Sequence, residues 1–167
     1  MFAYGDGFPD FIGGFEPAKG LPYLADVARI EAAWTRAYHA ADQEPSGIAW
    51  IASLDPAELT GARFEPHPAA AIVVSAFPAG SIWAAHQSET VTPVSKQSGE
   101  TVLVVRPELD VHVHVLPASD TAFAAALLDG ETIGAAAETA FAASPDFDFG
   151  KALVGLVSLG AFGGLKS

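Results

Sequence analysis

The stretch Leu21-Pro-Tyr-Leu-Ala-Asp-Val-Ala-Arg-Ile-Glu-Ala-Ala-Trp-Thr-Arg-Ala-Tyr-His39 decides how the rest of the chain is read. Pro22 suits a helix start, and Leu24, Val27, Ile30, Trp34, Tyr38 and Ala41 recur at spacings of three and four, which makes one apolar stripe. The spacing predicts the strongest helix of the chain, ended by Pro45 and Gly47. Glu31 falls inside that stripe, where an unpaired carboxylate is costly to bury, so an Arg or a backbone amide is expected to hold it, or else a partner protein. Arg29 and Arg36, seven residues apart, share the opposite face. They form either a solvated surface or a docking stripe for an acidic patch on a partner. His39 closes the helix, where a positive charge suits the helix dipole.

Toward the N-terminus, Met1–Phe15 carries five glycine or proline breaks among apolar residues, so residues 1–20 are expected to be a connector with a short helical turn. Beyond the helix, Asp55-Pro56 opens a helical turn to Thr60. From Arg63 the chain turns β-branched: Arg63–Glu65, Ala71–Ala76, Thr101–Arg106 and Val111–Leu116 are expected strands, the last two joined as a hairpin across Pro107-Glu-Leu-Asp110. Pro78–His86 reads as a short helix and Gln87–Gly99 as a polar loop. Three alanine-rich helices follow: Asp120–Leu128, Thr132–Ala143 and Phe149–Leu159, then a glycine-rich tail.

The expected fold is α+β: a long N-terminal helix on a small antiparallel sheet, then a winged-helix-like hairpin and three-helix unit. Residues 21–99 would form the helix and small sheet and 100–167 the winged-helix-like unit, or 21–167 one continuous domain. A winged helix reads DNA with its recognition helix, or captures an extended peptide on its sheet edge beside a helix.

Composition narrows the chemistry. The chain has 167 residues, half of them apolar, and no cysteine, which excludes disulfides, thiolate metal sites and Cys nucleophiles and suits a reducing cytoplasm. The apolar stretches Ala69–Phe77 and Ala152–Leu165 fall short of the roughly 20 residues of a membrane span, and no export signal is visible. With 8 basic and 20 acidic residues the formal charge is −12, which argues against nucleic acid as a ligand. Residues 100–167 hold nine acids and three bases, and the helix Phe149–Leu159 offers only Lys151, the wrong sign for a groove reader. No Gly-x-Ser-x-Gly elbow, phosphate loop or dinucleotide fingerprint occurs. His112 and His114 alternate along one strand and point to one side; with His39, His67 or His86 they could make a metal site, but a peptide-facing surface is the favoured reading.

A resemblance sharpens this. Tyr4-Gly5 with Phe8-Pro-Asp-Phe11, Leu21 through Glu31, Arg36-Ala-Tyr-His-Ala-Ala-Asp42, His67-Pro68, Phe77-Pro78 with Ile82-Trp83 and Gln87, Leu128-Asp-Gly130, and Phe147 through Phe162 resemble the bacterial HvfC/BufC-type family. Its members carry a DNA-binding label and are related to MbnC, the partner subunit of methanobactin biosynthesis. Members usually bear a further N-terminal helical domain, to which the label chiefly attaches, and this sequence opens with what looks like the segment just after it. The resemblance implies no catalysis and no cofactor of its own. It implies a heteromer with a TIM-barrel oxygenase that uses a multinuclear iron centre to modify cysteines of a ribosomally made precursor peptide, this subunit helping to engage the precursor's leader. Residues 100–165 also resemble a leader-peptide recognition domain. The expected partner-binding residues are Arg29, Glu31, Arg36 and His39. The expected peptide-binding residues are Val111, His112, Val113, His114, Val115 and Lys151, the leader adding as an edge strand beside Val111–Leu116 and Phe149–Leu159. A DNA-binding transcriptional regulator is the alternative.

Overall fold

The computed structural model describes residues 7–53, 55–87, 89–95 and 97–166, and it is α+β. The Tyr4-Gly5 part of the first motif lies outside the described residues. A short helix α1 (Phe8–Gly14) precedes the long helix α2 (Leu24–His39), and two single-turn helices follow, α3 (Ile48–Ile51) and α4 (Pro56–Leu59). Strands β1 (Phe64–Pro66) and β2 (Ala71–Ser75) lead to α5 (Ala79–Ala85), then to the hairpin of β3 (Glu100–Val105) and β4 (His112–Leu116). Helices α6 (Thr121–Leu128), α7 (Ile133–Ala143) and α8 (Phe149–Ser158) precede a last strand, β5 (Phe162–Leu165).

Strands β2, β3 and β4 form an antiparallel sheet in that order, with Ala71 opposite Val104 and Val105 opposite His112. All six residues of β3 are buried, as a central strand covered on both faces requires. Alternation divides its side chains. Val102 and Val104, with Val73, pack with Ile30, Ala33, Ala37 and Ala79 of α2 and α5. Leu103 and Val105, with Leu116, pack with Phe123, Leu127, Leu153 and Leu156 of α6 and α8. The sheet therefore joins segments on either side of residue 99 and separates two apolar layers.

Two details depart from the sequence expectation. The apolar side of α2 is turned: its buried residues are Ala25, Ile30, Ala33 and Ala37, whereas Tyr38 is 57% exposed and Trp34 sits at the margin. Alanines let α2 lie close against β2 and β3, and aromatic rings do not fit that narrow gap, so they flank it. The tail is a strand. β5 pairs with β1, Phe64 opposite Leu165, and the Phe64 and Phe162 rings stack at 4.5 Å. Two glycines among its four residues hide it from propensity.

Glycine fixes two helix ends. Gly130 (φ 85°) and Gly160 (φ 79°) each follow a helix in the left-handed region, and the flanking amides close both ends: Glu131 N–H bonds Ala126 and Ala161 N–H bonds Leu156. At Gly160 a Cβ would also lie 2.8 Å from Pro107.

Gly160→Ala should therefore cost about 1–3 kcal/mol. Gly155→Ala, inside α8 with nothing within 4 Å of the added methyl, should gain about 0.5–1 kcal/mol. Urea denaturation of both variants checks the contrast.

Candidate functional site

Helix α2 ends in extended backbone at Ala40, without a glycine cap. Its terminal carbonyls are taken instead by Arg106, the residue after β3. The Arg106 guanidinium, 6% exposed, donates from Nε to Ala37 O at 2.8 Å and from Nη2 to Ala40 O at 2.7 Å, while Nη1 reaches Asp42 at 2.8 Å. Asp42 is 81% exposed, so its ion pair is screened and the carbonyl contacts carry the tie.

The expected partner-binding residues fall on two sides of α2. Arg29 pairs with Asp26 at 2.5 Å and Asp10 at 3.3 Å, tying α1 to α2, and Asp26 also accepts from Ser75 Oγ at 2.6 Å. Arg29 is thus partly committed inside the molecule. Arg36 is exposed. His39 is exposed and lies edge-on to Tyr38 at 5.1 Å, whose ring stacks on Trp34 at 5.6 Å. Glu31 is exposed, not buried in the stripe, because the turned helix carries it to the flank facing α5. There it accepts the indole N–H of Trp83, and among the described residues neither an Arg nor a backbone amide holds it.

The expected peptide-binding residues lie mostly on β4, an edge of the sheet. Val111 and Val113 turn toward the α2 and α5 layer, and Val115 is 42% exposed on that same face. His112 is exposed and His114 half-buried on the opposite face, their rings stacked at 5.9 Å. Lys151 is exposed near the start of α8. That helix packs mainly on α3 and α6, and its C-terminal end meets Pro107 of the β3–β4 turn.

Burial and the neighbouring charge of His112 both hold the His114 pKa below the ordinary 6.5. Of the other histidines, His67 is fully buried. Its Nδ1 accepts the Ala69 N–H at 3.1 Å, so Nε2 bears the proton and donates to Gln43 O at 2.8 Å. It is a structural link between β1 and the segment after α2. His86 is exposed, with Nδ1 against Ile82 O at 2.8 Å. Among the described residues no group of three or more His, Asp or Glu is placed to hold a metal ion, so His39, His67 and His86 do not join the β4 pair. None of the described helices is long and apolar enough to cross a membrane.

Three features escaped the sequence reading. Arg106 had a signal, a lone cation closing an apolar strand while the preceding long helix lacked a C-terminal glycine. Buried Glu100 accepts from Ser81 N–H at 2.8 Å and Ser81 Oγ at 2.6 Å, which no local pattern announces. An apolar groove of about 610 Å³ runs along the other sheet edge, between Ala71 and Ile72 of β2 and Ala122, Ala125 and Ala126 of α6. No family model and no curated protein matches the chain.

Two outcomes follow. Arg106→Met orphans the last carbonyls of α2 and should cost about 2–4 kcal/mol by chemical denaturation, with Arg106→Lys recovering only part because an ammonium lacks the fork. Because the folded His114 pKa lies below its unfolded value, the unfolded chain takes up this proton first as pH falls. The His114 contribution to stability is therefore unchanged above about pH 6.5 and lost progressively below it. Denaturation across that window should show His114→Gln flattening the acid side of the profile.

Proposed function

We propose that this chain is a non-catalytic partner subunit of a TIM-barrel oxygenase with a multinuclear iron centre, and that it captures the leader of a ribosomally made precursor peptide as an added strand on β4. The observation that carries the proposal is the outer edge of β4, which no strand among the described residues pairs. An edge strand presents a row of backbone donors and acceptors that an extended peptide completes, while side chains alternate into the surfaces beside it. Val115 borders that edge on the α5 side, where Gly80 leaves room; a Cβ there would lie 2.7 Å from both Val102 and Val115. His112 and His114 border it on the other face. The oxygenase enters through the motif resemblance, which spans nearly the whole sequence, with the exposed α2 surface around Arg36 and His39 as its docking face.

Charge weighs against the regulator reading. Lys151 is the one basic residue of α8, the helix that would enter a groove, and the chain as a whole is acidic.

Isothermal titration with the leader of a Cys-bearing precursor encoded beside a barrel-oxygenase gene tests the reading. It should give saturable heat with micromolar affinity, about −8 kcal/mol, and the two proteins should co-purify. A leader N-methylated at alternate residues should lose the binding, since strand addition depends on backbone hydrogen bonds. Absence of heat together with absence of co-purification sinks the proposal.

A further inference from the structure

The histidines of β4 differ from the other imidazoles whose surroundings are known. His67 has both ring nitrogens engaged, and His86 has one held by the Ile82 carbonyl. His39 stands alone against the Tyr38 ring. His112 and His114 have no hydrogen-bond partner among the described residues, yet their rings are stacked with centroids 5.9 Å apart and planes 26° from parallel. Register explains the pairing. His112 lies opposite Val105 and His114 opposite Leu103, so the two share one face of an edge strand with no intervening side chain.

We propose that His112 and His114 form a two-histidine chelate for a late first-row divalent cation such as Zn²⁺, Ni²⁺ or Cu²⁺, the cations that imidazole favours. Two residues apart on one strand, the pair presents both rings on the same face. With metal–nitrogen bonds of about 2.0–2.1 Å, each ring centroid lies about 3.2 Å from the metal, and a tetrahedral angle puts the centroids about 5.2 Å apart. The observed spacing is larger by under an ångström, and the rings, 26° from parallel, turn about their side-chain bonds to bring one nitrogen of each onto the metal. The exposure of His112 leaves the remaining metal positions open to water or to a ligand from another molecule. The overall charge of −12 favours any cation, and among the described residues this pair alone sets two imidazoles side by side without hydrogen-bond partners. This inference does not rest on the peptide reading, since strand addition uses the backbone edge and the chelate uses one face.

The test is a zinc chloride titration of the full chain followed by the imidazole proton and carbon resonances, with calorimetry in nickel chloride alongside. The expected result is one equivalent bound, with the His112 and His114 signals moving together and those of His39 and His86 staying in place. His112→Gln, at an exposed position that leaves the fold intact by circular dichroism, should weaken binding by about tenfold or more, and His86→Gln should leave it unchanged. Unmoved His112 and His114 signals at millimolar zinc overturn the proposal. So does binding of equal strength in the His112→Gln/His114→Gln double variant.

Discussion

Arg106 stands where the two apolar layers and the sheet meet. Its fork reaches from the end of the central strand to the last turn of α2, satisfying carbonyls that the chain leaves without a glycine cap. Because β3 is paired on both sides, this contact sets the position of α2 along the sheet. At the other end Asp26 accepts from Ser75 of β2, so α2 is pinned near both termini. Between the two pins, Ile30, Ala33 and Ala37 supply a flat apolar surface. A hydrogen bond to a buried cation is among the stronger single interactions available to a fold of this size.

What lies on the flanks of α2 follows from that placement. Small residues face the sheet, so Trp34 and Tyr38 are displaced to one flank, and Glu31 is carried with them toward α5, where Trp83 takes it up. The Arg29 side is drawn to α1 through Asp10 and Asp26. The expected docking stripe of Arg29 and Arg36 is thus partly used inside the molecule. In the C-terminal half of the helix Arg36, Tyr38 and His39 are exposed.

Much of the fold was legible because its signals are local. β-Branched runs marked β2, β3 and β4, and Asp129-Gly130 marked the end of α6, whereas the side-chain caps of Thr132 and Asp148 on α7 and α8 came with the structure. What was not legible depends on distance in space. Periodicity placed Ile30 and Val27 correctly but also marked Trp34 and Tyr38 as core, since it cannot tell which side of a helix meets a close-packed sheet. β5 was missed because Gly163 and Gly164 lack strand propensity, and its pairing with β1 lies across almost 100 residues of chain. The candidate site divides the same way. The alternation of His112 and His114 was visible, whereas their stacking and the tie of Glu31 to Trp83 needed the assembled elements.

Among the described residues the sheet has two unpaired edges, β4 and β2, and the second borders the alanine-lined groove of α6. Under the proposed function the leader joins β4. Hydrogen exchange of the backbone amides, with and without the leader peptide, tests that assignment most directly, since an added strand protects the outward amides of the strand it joins. The account predicts slowed exchange along residues 111–116 and little change along 71–75. Protection confined to β2 and α6, or no protection of either edge at saturating peptide, would contradict it.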